Sequence, residues 1–137
     1  MTQDLVHNGL PNGLTRWQFF GLIQTARRQL GFSKGAISYL KVALSHTMDE
    51  DYLSGRICSF WTSVTKIATR AEIDRRQVTR IEAELINKSW LVKTASDHST
   101  RCGSRRNGRI CQEFGINLAP LIERAAEIQA AARKATF

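Results

Sequence analysis

The stretch IDRRQVTRIEAELINKSWL, from Ile73 to Leu91, constrains the fold more than any other part of the chain. At about 100° per residue, Val78, Ile81 and Leu85 fall on one apolar stripe. Asp74 stands where an N-cap belongs, so a helix is expected from about Arg75 to Asn87. The same wheel turns Arg76 and Arg80 away from the stripe, puts Thr79 on its shoulder and leaves Arg75 in the first turn. A merely solvated face would mix its charges. Pairing with Glu72, Asp74, Glu82 or Glu84 is the bland alternative for these arginines.

Such a helix needs neighbours to cover its stripe, and the flanking segments supply them. Ser63 caps a short helix from Val64 to Arg70, whose Val64, Ile67 and Ala68 join Ile73 in holding the longer helix across a tight connection. Trp90, Leu91, Val92 and Thr94 read as a strand, and RICQEF, Arg109 to Phe114, as its return. Between them SDHSTRCGSRRNG reads as the long, mobile tip of a hairpin.

Upstream, Thr15 caps a helix carrying Trp17, Phe20, Leu22, Ile23, Ala26 and Leu30, and Gly31 closes it. Ser33 caps a second helix to about His46, MDEDYLSGR reads as an acidic loop, and RICSFW, Arg56 to Trp61, as a strand. Pro120 starts a last helix with Leu121, Ile122, Ala125, Ile128 and Ala132 on one side. Trp17, Trp61 and Trp90 are all assigned to packing. This order is that of a mainly α protein with a small β-hairpin, a winged helix-turn-helix with extra N- and C-terminal helices. Residues 1–13 are expected to form a flexible lead, 14–119 the winged helix-turn-helix, and 120–137 a C-terminal helix acting as linker or dimerisation element. That last helix would pack on the first helix or on a second copy in a homodimer.

With 137 residues the chain suits one domain with a real core. Twenty Lys and Arg against twelve Asp and Glu leave a net charge of +8, which points to a polyanionic partner. Six of those eight excess charges lie between Ser63 and Cys111, where eleven basic side chains face five acidic ones. Duplex DNA fits this placement. A major groove admits one helix, and arginine reads guanine through paired donors, the role expected of Arg76 and Arg80 with Arg75 and Thr79 beside them. Ser63, Lys66 and Arg70 would meet phosphates, and Arg101, Arg105, Arg106 and Arg109 on the wing would follow the backbone or enter a minor groove.

Other classes find less support. His98, Cys102 and Cys111 lack a CxxC half-site, so no metal is expected, and Cys58 and Cys111 read as small core residues. No nucleophile elbow, acidic pair or phosphate-cradling loop is present, so neither an enzyme, a cofactor nor a small-molecule substrate is expected. Without a signal peptide or an apolar run long enough to span a bilayer, the expected location is cytoplasmic, with nucleoid or plasmid. RNA recognition would favour aromatics on a sheet face, and membrane binding a strongly amphipathic basic helix.

Four segments carry a family resemblance: Leu14 to Ser33, Tyr39-Leu40, Ile67-Ala68 with Arg75 to Leu91, and the tail FGINLAPL from Phe114 to Leu121. Together they resemble the N-terminal domain of the RepC-type replication initiator of repABC plasmids. The resemblance implies a winged helix that binds double-stranded DNA at a replication origin. It also implies groove contacts at Arg75, Arg76 and Arg80 and wing contacts at Arg105 and Arg106. Family initiators are longer and carry a second, C-terminal domain. The chain is therefore expected to be either a piece of such an initiator or a stand-alone relative on a mobile element, the latter regulating transcription. A winged-helix protein-interaction adaptor is the rival from another class.

Overall fold

The computed structural model describes residues 6–94, 101–107 and 109–135. Helices dominate. Thr15 caps α1 (Arg16–Thr25) through a reciprocal capping box with Gln18, and the chain breaks at Ala26 before α2 (Arg27–Leu30). Gly31 ends α2 at a φ of 77°, which only a residue without Cβ adopts freely. Ser33 accepts from the Ala36 amide to start α3 (Lys34–Ser45).

After β1 (Ser59–Phe60), Ser63 caps α4 (Val64–Ala71) and Asp74 caps α5 (Arg75–Asn87). The turn between these two helices passes through Glu72 in the left-handed region, at φ 59°, and closes with the Ile73 amide on the Ala68 carbonyl. There follow β2 (Val92–Lys93), β3 (Cys102–Arg106), β4 (Arg109–Phe114) and β5 (Ile116–Asn117), then α6 (Ala119–Glu123) and α7 (Ala125–Ala135). This is a mainly helical protein with a small antiparallel sheet, a winged helix with extra helices at both ends.

Strand pairing differs from the expectation that β2 returns on RICQEF. The order in the three-stranded sheet is β1-β5-β2, while RICQEF, as β4, pairs with β3 in a separate hairpin. Two causes are visible. Gly115 separates β4 from β5 at a point where a Cβ would lie 2.3 Å from the Phe60 carbonyl oxygen, so the chain turns there against β1. The segment expected to be a long loop tip itself supplies β3, with Arg106 opposite Arg109 and Asn107 at a φ of 54°, the conformation an Asn-Gly hairpin turn requires. A register shift between Ser104 and Arg105 bends the hairpin.

The core is formed by Phe19, Ile23, Tyr39, Leu40, Leu44, Ile67, Val78, Leu91, Ile116, Leu121 and Ile128. Trp90 is buried as expected and meets Phe32 edge to face at 5.1 Å. Trp17 departs from its packing assignment, remaining 42% exposed, because the Thr15 cap sets the phase of α1 so that Phe19, Phe20 and Ile23 take the inner face.

The expected flexible lead is docked from Val6 onward. Val6 bridges Ile57, the Leu10 amide donates to the Tyr52 carbonyl, and buried His7 donates from Nε2 to the Asp51 carbonyl while accepting from the Gly9 amide at Nδ1. The acidic loop is equally structured. Asp49–Tyr52 form a 3-10 turn in which Asp51 and Tyr52 are buried. The last helical segment bends at Arg124, and α7 lies against α1 and α2 of its own chain, burying Ala125, Ile128 and Ala132.

Candidate nucleic-acid interface

The two faces of α5 are chemically distinct. Val78, Ile81 and Leu85 are at most 5% exposed, whereas Arg75, Arg76, Thr79 and Arg80 are exposed and, with Ala83, line one open depression. The alternative of local charge pairing is not what the structure holds. Among the described residues Glu84 pairs with Lys88 at 3.0 Å and Glu82 pairs with Arg101, while Arg75, Arg76 and Arg80 form no ion pair. Thr79 donates its hydroxyl proton to the Arg75 carbonyl at 3.1 Å, which leaves its oxygen lone pairs and methyl group outward.

Helix α4 adds a second set of donors. Ile67 and Ala68 are buried, and Lys66 and Arg70 are exposed. The Ser63 hydroxyl accepts from the Lys66 amide at 3.2 Å, so its first role is to cap the helix. Near them, burial and then the charges of Arg70 and Lys66 hold the His46 imidazole below its ordinary pKa.

The wing arginines divide. Arg101 is turned inward, donating to the Thr62 carbonyl at 2.8 Å and to Glu82 Oε1. Glu82 lies on the buried side of α5 and accepts from the Tyr39 hydroxyl at 2.7 Å through Oε2, so one carboxylate ties α3, α5 and the wing together. Arg105 clasps Asp51 with both amino groups, at 2.8 and 2.7 Å, and that bidentate bond raises the guanidinium pKa further. Arg101 and Arg105, expected to follow the DNA backbone from a mobile tip, fasten the wing to the body in this structure. Arg106 is exposed, opposite Arg109 in register; the Arg109 side chain lies outside the described residues.

From the sequence Glu82 is expected only as a surface partner for the α5 arginines, and Asp51 is not singled out. Glu82 follows Val78 by one helical repeat and so borders the apolar stripe, a detectable sign of a carboxylate with an inward partner. Asp51 carries no such sign, since its partner is 54 residues away.

Gly103 completes the wing's seat. A Cβ there would lie 2.4 Å from the Trp61 ring, so the β3 backbone rests directly on the indole. Among the described residues no group of His, Cys, Asp and Glu could hold a metal; His98 lies outside them, as do the side chains of Cys102 and Cys111. Cys58 is buried, and burial raises its thiol pKa. No described helix is long and apolar enough to cross a membrane.

A two-helix element with an outward basic face, followed by a hairpin clamped beside it, defines the winged-helix class. The family model described as Replication protein C N-terminal domain matches residues 2–137, and the chain belongs to that family of replication proteins. Comparison with curated proteins and with solved structures gave no match.

Proposed function

We propose that this domain binds double-stranded DNA in a sequence-specific manner, as the origin-recognising part of a plasmid replication initiator. The observation that carries this reading is the exposed row Arg75, Arg76, Thr79 and Arg80 on α5, opposite a buried stripe and without acidic partners among the described residues. In this reading α5 lies in the major groove. Arg76 and Arg80 present forked donors to base edges, and Arg75 and Thr79 reach the groove wall. Lys66 and Arg70, with the Ser63 end of α4, lie along phosphates, and Arg106 with Arg109 does the same from the wing. Arg101 and Arg105 act by positioning the wing. Family membership supports the assignment to replication.

The experiment is selection of bound sites from a random duplex library, followed by affinity measurement on the selected site. Replacing Arg76 or Arg80 by alanine should cost about 1 to 3 kcal/mol and relax preference at one base position. Equal affinity of the wild type and the double variant for that site overturns the reading.

A further inference from the structure

Of the three tryptophans, Trp90 is buried, Trp61 half-buried under the wing and Trp17 exposed. Trp17 does not dangle. Phe20 meets its ring edge-on at 6.2 Å, and the Arg16 guanidinium lies 5.2 Å from its centroid while donating to the Leu44 and Thr47 carbonyls. An indole braced in this way loses little freedom when something stacks on it.

That indole borders a depression of about 390 Å³ between α1, α3 and the end of α4. Lys41 and Arg70 supply two cations, Ser38 a hydroxyl, Ser45 a hydroxyl that donates to the Val42 carbonyl, and Glu72 a carboxylate. A flat apolar platform flanked by cations and hydroxyls matches a nucleobase with its phosphates. Inside a duplex both faces of a base are covered by its neighbours, so the platform suits an unpaired base. The depression also adjoins the proposed duplex surface, because Arg70 and Glu72 lead directly into the turn before α5.

We propose that this depression is a single-stranded DNA site, in which an unpaired base stacks on Trp17 and a flanking phosphate lies against Lys41. The inference extends the duplex-binding reading: a protein that holds duplex on α5 and an unpaired base on Trp17 favours an opened junction. It is separable from that reading, since Trp17 and Lys41 take no part in the α5 surface.

The test measures binding of a short oligo-dT strand and of the selected duplex to the full chain, by tryptophan fluorescence and by anisotropy of labelled DNA. Oligo-dT should quench the fluorescence, and Trp17→Ala should remove most of the quenching and weaken oligo-dT binding roughly tenfold. Lys41→Glu, an exposed change that leaves the indole in place, should weaken oligo-dT binding as well, which covers the case of a misfolded Trp17 variant. Duplex affinity of both variants should stay within about twofold of wild type, well under the loss expected at a base-reading contact. Absence of oligo-dT binding by the wild type, wild-type oligo-dT affinity in both variants, or equal loss of strand and duplex binding overturns the inference. Trp17-dependent oligo-dT binding by a protein that binds no duplex leaves it standing and removes the α5 reading instead.

Discussion

Glu82 and Arg101 form an ion pair behind α5, with side chains only 8% and 15% exposed, and Tyr39 closes the other carboxylate oxygen at 2.7 Å. Removing one member of such a pair leaves the other charge buried without a partner. Arg101→Ala should therefore destabilise the fold by about 3 kcal/mol or more, while Glu82→Gln combined with Arg101→Met should cost less than the single change. Urea unfolding of the two variants checks this. A loss under about 1 kcal/mol for Arg101→Ala would show that the pair is effectively solvated.

Arg105 and Arg106 are neighbours with opposite fates, and salt separates them. Arg106→Ala should flatten the slope of log K against log salt by roughly 0.9, as one lost phosphate contact does, and weaken cognate and random duplexes by similar factors. Arg105→Ala should instead lower stability, because it leaves the Asp51 carboxylate buried without its bidentate partner. Identical salt slopes for wild type and Arg106→Ala would remove the exposed wing tip from the interface.

In the proposed reading His46 should sense bound duplex from a distance. Its pKa lies below the ordinary 6.5 through burial and then through Arg70 and Lys66. A histidine depressed in the folded state gives stability that is present above pH 6.5 and is lost as pH falls through the folded value. Phosphates placed against Lys66 and Arg70 offset the two cations and should move the His46 pKa upward. By linkage the complex then takes up protons, and affinity should rise as pH falls below 6.5. An NMR titration of the imidazole with and without duplex measures the shift; no upward movement places the phosphates elsewhere.

Alkali should attack the core through Cys58, Tyr39 and Tyr52, whose pKa values burial raises above 9.0 for the thiol and 10.0 for the phenols. A raised folded-state value means that the unfolded chain releases its proton first. Stability is therefore present below the ordinary values and is lost as pH climbs through them. Urea midpoints should hold up to about pH 9 and then fall, and Cys58→Ala should move the onset toward the tyrosine range. An unchanged onset in that variant would assign the alkaline loss to the tyrosines alone.

Gly115 gives a direct steric test. Its added Cβ would meet the Phe60 carbonyl oxygen at 2.3 Å, a backbone atom that cannot rotate away. Gly115→Ala should cost on the order of 1 to 3 kcal/mol by pushing β5 from β1, visible as a lower urea midpoint. Wild-type stability would mean that the sheet can re-register at this corner.

Local rules explain which parts of this architecture the chain declares in its sequence. The α5 helix was legible because Asp74, Val78, Ile81 and Leu85 lie within one continuous segment, and the same holds for the caps Thr15, Ser33 and Ser63. The pairing of β2 with β5 was not legible, because strands of two residues have no periodicity to detect. The arginines of β3 and its approach were read by charge alone. Their partners Glu82 and Asp51 are 19 and 54 residues distant, and charge counting cannot separate a cation waiting for phosphate from one already engaged. Trp17 is ambiguous in the sequence for a related reason, since its spacing suits either side of the apolar arc until the cap fixes the phase.

Arg124, at the bend between α6 and α7, lies 3.4 Å from the Trp90 ring centroid and donates to the carbonyls of Lys88 and Ser89, just past the last turn of α5. One guanidinium thus ties the α6–α7 bend to the C-terminal end of α5. In the duplex-binding reading we propose, a change in the α6–α7 bend would therefore reach α5 at the end farthest from Arg75 and Arg76.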